Sequence, residues 1–173
     1  HDALAITGLT ATALSHAIHS KQLSCLELMQ ASLAQIDALN PQVNAIVARV
    51  DADLLLAQTR MLDDELAQGQ SRGPLHGFPQ APKDLASVKG MVTSRGSPLF
   101  AHQVTGEDTV FLSRIRAGGG VFVGRSNTPE FGLGGHTYNP VYGATHNAFV
   151  PGHTAGGSSG GAAVAVALHM LPV

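Results

Sequence analysis

The densest run of residues able to do chemistry is Gly156-Gly157-Ser158-Ser159-Gly160-Gly161, which opens into the apolar stretch Ala162 to Met170. Two adjacent hydroxyls on bare backbone at the start of a helix permit three kinds of chemistry. Backbone N–H groups at a helix N-terminus bind anions. A phosphate cradle of the P-loop kind also needs a Gly-Lys-Ser/Thr ending, and no lysine follows here. The run also fits G-x-S-x-G, in which Ser158 would be a nucleophile on a strand-to-helix elbow. That elbow needs a strand directly before it, whereas Pro151-Gly152-His153-Thr154 reads as a turn, and only His169, with no Asp or Glu, comes after it. In the third reading a serine of this loop relays a proton and does not attack.

Elements that could position the loop can be read from periodicity and punctuation. Thr10 to Ser20 reads as a short helix capped by Thr10 or Thr12. Ser24-Cys25-Leu26-Glu27 is a capping box. It opens a helix through Leu26, Met29, Leu33, Ile36 and Leu39, which Asn40-Pro41 is expected to stop. Ala45 to Val50 reads as a strand, and Asp51 as the cap of a helix from Leu54 to about Gln68, ended by Gly69. Phe78 to Leu85 reads as a short strand interrupted by prolines, with Lys83 inside it. Asp108 to Ala117 reads as a helix with Val110, Leu112 and Ile115 inward, and Val121-Phe122-Val123 as a buried strand after three glycines. Helix, glycine turn and apolar strand in succession predict a parallel or mixed sheet.

The bulk numbers exclude several classes. The chain has 173 residues, 44% hydrophobic and 13% charged, which is globular and not disordered. Ten basic against twelve acidic residues leave a net charge of -2, with no basic surplus for nucleic acid or anionic lipid. The single cysteine, Cys25, excludes an internal disulfide framework and reads as a small core residue. His1-Asp2-Ala3-Leu4 shows no basic region leading into an apolar run, so no signal peptide is expected. The longest apolar run, Ala162 to Leu168, is too short to span a bilayer, and the expected setting is the cytoplasm. His16 and His19 read as a solvated helix face, and His136, His146 and His153 as loop residues in packing or hydrogen bonds; neither group is expected to bind metal. Of the charged residues only Arg125 and Glu130 fall after Arg116, while thirteen of the 20 glycines lie between Gly118 and Gly161. The last third therefore reads as close-packed backbone that would leave apolar surface at its edge.

Four blocks, in order, carry a resemblance. Gly77-Phe78-Pro79-Gln80-Ala81-Pro82-Lys83-Asp84-Leu85, Gly124-Arg125-Ser126-Asn127-Thr128-Pro129-Glu130-Phe131-Gly132, Asn139-Pro140-Val141-Tyr142-Gly143-Ala144-Thr145-His146-Asn147 and the glycine-serine loop together resemble the amidase-signature family. That resemblance implies an α/β fold, a mixed sheet flanked by helices and incomplete in this chain. Residues 1–70 would be a helical segment packing on the core, and residues 71–173 the N-terminal part of that core.

The resemblance also implies roles. Lys83 would be the general base and Ser158 the bridging serine, behind a cis Gly157–Ser158 peptide, with Ser159 supporting the lysine. Gly132, Leu133 and Gly134 would lie beside the substrate. A lysine titrates near about 10.4 and is a poor base while charged; burial between Ala81 and Leu85 would favour its neutral form. Asp84 reads as a pairing or capping residue, Thr154 as a loop-backbone partner, and Arg114 and Arg116 as the solvated side of their helix. No cofactor is implied. The family's nucleophile and oxyanion hole would fall beyond Val173, so the chain is expected to lack both. Its partners would be a small-molecule amide substrate and the C-terminal remainder of the enzyme, as continuation or separate chain.

Three functions follow from the resemblance. The first is hydrolysis of a linear carboxylic amide through an acyl-enzyme. The second is an inactive fragment or structural half that pairs with a complementary chain. The third is the amidase subunit of a tRNA-dependent amidotransferase. The last ranks lowest, because that subunit usually carries Asp where Pro129 stands and Ser-Ser-Thr-Glu-Asn where Gly135-His136-Thr137-Tyr138-Asn139 stands. Pro82 replaces a usual aliphatic residue and removes a ladder donor, so its strand is expected at an edge or locally unpaired. Val150 and His153 replace more usual polar or charged neighbours of the loop.

Overall fold

The computed structural model describes residues 3–173; His1 and Asp2, on which the reading of the chain's start rested, lie outside the described residues. The centre of the fold is one extended segment containing β3 (Val121–Phe122) and β4 (Arg125–Ser126). On one flank β3 pairs in parallel with β2 (Pro79–Gln80), Pro79 opposite Val121, and the pairing continues to a parallel bridge of Lys83 with Ser126. On the other flank β4 pairs antiparallel with β1 (Ile46–Val47), Ile46 opposite Ser126. The result is the expected mixed sheet, short in every strand. A separate hairpin joins β5 (Tyr138–Asn139) to β6 (Gly143–Ala144).

Hydrogen bonds show how the proline-broken strand is accommodated. Phe78, Gln80 and Pro82 carbonyls accept from Val121, Val123 and Ser126 at 2.8, 2.9 and 3.1 Å. Two residues on one strand are thus matched first by two, then by three, so β4 bulges at Gly124-Arg125. Pro82 has no N–H, and the Val123 carbonyl instead accepts from Val50 on the other flank at 2.9 Å. A Cβ at Gly124 would lie 2.9 Å from the Val47 carbonyl oxygen, which is why glycine stands in the bulge.

Side chains of the central segment alternate, as a pleat requires. Val121 and Val123 join the main core with Phe78 and the helices α3 (Cys25–Val43), α4 (Ala52–Ala67) and α6 (Gly160–Ala167). Phe122 packs the opposite way with Val88 and with Leu112 of α5 (Val110–Ala117). Helices therefore cover both faces. Two shorter helices, α1 (Ala3–Thr7) and α2 (Ala11–His19), complete the N-terminal side, α2 with Thr10 as its cap.

Local chemistry explains the helix ends. The Ser24–Glu27 capping box is formed in full, and Asp63 of α4 accepts from the Cys25 and Leu26 N–H groups at 2.7 and 3.0 Å. Asp51 caps α4. Asn40-Pro41 does not stop α3, contrary to expectation. Pro41 lies inside α3, in its last turn, and lacks the N–H that would be donated back along the helix, yet α3 runs on to Val43 and its C-cap Asn44 is left-handed at φ 51°. The strand expected over 45–50 shrinks to Ile46–Val47, since Ala48 turns the chain at φ 45°. Val110 is 68% exposed and not inward, because Leu112 and Ile115 share a face that Val110 does not. Arg116 is not simply solvated: it pairs with Asp108 at 2.8 Å, and its guanidinium lies 4.8 Å from the Phe122 ring centre. α6 starts at Gly160 and ends at Ala167, earlier at both ends than its apolar run.

Among the described residues no helix is long and apolar enough to cross a membrane.

Candidate functional site

Lys83 sits at the end of the parallel ladder, half-buried, with its backbone fixed on one side by Ser126. Its Nζ donates to Ser158 Oγ at 2.7 Å and to Ser159 Oγ at 3.0 Å. Burial holds the amine below its ordinary value. The residues expected to form the base, the bridge and its support are therefore brought together by the fold. The Gly157–Ser158 peptide is cis.

Packing that leaves no room for side chains presents the two serines. A Cβ at Gly160 would lie 2.3 Å from Thr137 Oγ1, and one at Gly161 2.3 Å from the Asn127 backbone nitrogen. α6 thereby sets its first turn directly on β4. Thr137 Oγ1 donates to the Gly156 carbonyl at 2.8 Å and accepts from Gly160 N–H at 2.9 Å, tying both ends of the loop to one hydroxyl. Ser159 occupies the N-cap position of α6 but makes no side-chain cap; its hydroxyl serves Lys83 instead. Thr154 accepts from Gly156 N–H at 3.1 Å and pairs with His136 Nδ1 at 2.9 Å, so it does bond loop backbone.

Behind the loop lies a buried amide and hydroxyl web. Asn139 Nδ2 donates to Asn127 Oδ1 at 2.7 Å and to the Thr128 carbonyl at 2.8 Å. Asn127 Nδ2 donates to Thr145 Oγ1 at 3.0 Å, and Thr145 Oγ1 donates to the Asn44 carbonyl at 2.7 Å. The web joins the end of α3, the β4 segment and the β5–β6 hairpin. Fully satisfied networks of this kind rigidify what they connect.

Leu133 and Gly134 line a concavity with Phe131, His136 and Tyr138, Gly132 is not part of its lining, and Leu133 is 79% exposed. A Cβ at Gly132 (φ 72°) would meet Leu85 Cδ1 at 2.7 Å, so this turn packs beside the residue two positions after Lys83. The same concavity wall reaches the loop, since a Cβ at Gly157 would lie 3.2 Å from the carbonyl carbons of Gly135 and His136.

Sequence reasoning did not single out Arg125, Asn127, Thr137 or Asn139. Asp84, read as a pairing residue, is one: it and Arg125 are both fully buried, 3.4 Å apart. The signal in the sequence was compositional, in that Arg125 is one of two charges in the last third of the chain.

Comparisons with known proteins bear on the family and the fold. The sequence profile described as Amidase matches residues 27–173. An acylamidase of Rhodococcus erythropolis is 40% identical over 165 residues, which is 95% of this chain and 34% of the relative. One component of the glutamyl-tRNA(Gln) amidotransferase of Chromobacterium violaceum is 40% identical over 97% of this chain and 34% of its own length. Among solved structures, a fatty acid amide hydrolase superposes with a TM-score of 0.93 at 27% identity, covering 99% of this chain and 30% of that one. The peptide amidase from Stenotrophomonas maltophilia superposes with a TM-score of 0.84 at 30% identity, covering 94% of this chain and 34% of that one. The chain thus spans about a third of the length of the relatives it matches. Profile, relatives and superposed folds agree with the four sequence blocks: this chain belongs to the amidase family.

Proposed function

We propose that the chain supplies the base and the proton relay of an amidohydrolase that cleaves a linear carboxylic amide through a Ser-cisSer-Lys acyl-enzyme mechanism. The observation that carries this reading is the Lys83 Nζ to Ser158 Oγ distance of 2.7 Å, with Ser159 Oγ at 3.0 Å. Lys83, held below its ordinary value by burial, loses a proton and gains a lone pair directed at the Ser158 hydroxyl. A nucleophilic serine, supplied by sequence beyond Val173 as continuation or separate chain, attacks the amide carbon. Its proton moves to Ser158 Oγ while the Ser158 proton moves to Lys83 Nζ. The C–N bond then breaks as the proton returns along the same path to the leaving nitrogen. Water repeats the sequence to release the acid and free the nucleophile.

Ser159 holds the amine in line. Gly132, Leu133 and Gly134 present bare backbone and one exposed side chain along the substrate's approach. Residues 1–70 act as a helical buttress to the catalytic core that begins at residue 71. The test is release of ammonia or amine from a panel of linear amides by the full-length protein. Folded protein that hydrolyses none of them contradicts the reading.

A second reading, the amidase component of a tRNA-dependent amidotransferase, draws support from the identity to the Chromobacterium violaceum protein. Pro129 and the Gly135–Asn139 run favour the free amidase. Ammonia release from glutamine only in the presence of partner subunits would reverse that ranking.

A further inference from the structure

Lys83 and Asp84 are adjacent in sequence but serve opposite sides of their strand, as a pleat dictates. Lys83 reaches the two serines. Asp84 is fully buried, 3.4 Å from Arg125 Nε, and accepts from both the backbone N–H and the hydroxyl of Ser94. Arg125 is also fully buried, and its Nη2 donates to the carbonyl of Lys83 at 3.1 Å and to that of Ala86. The Lys83 carbonyl also accepts from Leu85 N–H at 2.7 Å. Through Nη2 this guanidinium holds the main chain on both sides of residue 84, across the tight turn that ends the lysine strand. Its Nε faces the Asp84 carboxylate as an ion pair, and among the described residues neither Nε nor Nη1 has a hydrogen-bond partner.

The bulge at Gly124-Arg125 places this guanidinium. By adding a residue to the strand opposite Pro82, it keeps Ser126 beside Lys83 while Arg125 reaches the turn. Burying an ion pair is costly, and replacing one by packed apolar groups is often neutral or stabilising. A stability role alone gives weak reason for a buried guanidinium bonded to the main chain at both Lys83 and Ala86. Arginine's planar head lets one Nη bind two carbonyls while Nε faces the carboxylate, a geometry that a lysine ammonium does not reproduce.

We propose that Arg125 is a positioning residue for Lys83: by binding the Lys83 and Ala86 carbonyls, with Asp84 as its counter-charge, it fixes the lysine backbone so that the amine meets Ser158 and Ser159. This rests on the assignment of Lys83 as the base.

The test is competitive acylation of the full-length protein with trace acetic anhydride across pH, read by peptide mass spectrometry. Lys21 and Lys89, both exposed, are the internal standards. Wild-type Lys83 is expected to titrate below them; if it titrates with them, the base assignment fails whatever Arg125 does. Two variants address Arg125. R125M/D84L removes both charges together, so no lone buried charge opposes folding. R125K keeps a cation opposite Asp84 but loses the planar head. In each folded variant the Lys83 midpoint is expected to rise toward the standards, its relative labelling near pH 8 to fall about three- to tenfold, and kcat to fall more than KM changes. A folded variant of either kind with wild-type Lys83 titration and wild-type kcat overturns the proposal.

Discussion

Ser159 stands at the N-cap of α6 and caps nothing; its hydroxyl accepts a 3.0 Å hydrogen bond from Lys83, 76 residues earlier in the chain. A serine that forgoes the local partner its position favours, for a distant one, marks the distant contact as the one the loop is built around. Ser159→Ala should then cost only about 0.5–1.5 kcal/mol of stability, the net worth of that one hydrogen bond, because no cap is lost. In the full-length protein kcat should fall about tenfold, the scale of one hydrogen bond to a charged group. Chemical denaturation alongside steady-state kinetics checks both halves. A large stability loss with intact kcat would show the hydroxyl to be structural.

Lys83 is held below its ordinary value by burial, and the sign of the pH effect follows. Between the folded midpoint and about 10.4 the unfolded chain carries a proton that the folded chain does not, so stability rises with pH across that window. Below the folded midpoint Lys83 is charged in both states, and the desolvation penalty acts in full. Lys83→Met should be more stable than wild type at neutral pH and should lose the upward slope. Urea unfolding from pH 7 to pH 10 on both proteins measures this; parallel curves would contradict it. The same midpoint should appear as the acidic limb of kcat/KM, which rises as Lys83 loses its proton.

Gly161 lies where a Cβ would meet the Asn127 backbone nitrogen at 2.3 Å and the Ala45 carbonyl oxygen at 2.6 Å. Neither can yield without moving the sheet. Gly161→Ala should cost about 1–3 kcal/mol, as overpacking does, and it should lift α6 from β4, carrying Ser158 away from Lys83. Thermal unfolding and activity should fall together. Activity that survives a clear stability loss would show that the helix seat does not set the site.

Thr137 Oγ1 holds the Gly156 carbonyl and the Gly160 N–H with a single hydroxyl. Thr137→Val keeps the shape and removes both bonds, leaving buried groups unpaired at about 1–3 kcal/mol. Loop amides 156–160 should lose hydrogen-exchange protection before the remainder of α6. Unchanged exchange there would place the restraint elsewhere.

What could be read without coordinates was what depends on local pattern. The Ser24–Glu27 capping box, the Asp51 cap, the buried strand at Val121-Phe122-Val123, and the four blocks that bring Lys83 and Ser158 into one site all lie in short stretches of sequence. What escaped depends on partners distant in sequence. Arg125 is a guanidinium like any other until Asp84 and the Lys83 carbonyl are known to surround it. Thr137 is an ordinary loop threonine until Gly156 and Gly160 close on it. Pro41 misled because α3 runs on through it to Val43, and Val110 because one apolar residue at a helix start does not fix which face is buried.

The central claim is that Lys83 takes the nucleophile's proton through Ser158, and Lys83→Ala tests it most directly. Activity toward a linear amide should be measured on the full-length variant after circular dichroism has shown it folded. The account predicts a loss of about 10²-fold to 10⁴-fold in kcat/KM, with Ser158→Ala losing a comparable amount and the double variant losing little more, because the two act as one relay. A folded Lys83→Ala protein that hydrolyses the amide at the wild-type rate would contradict it.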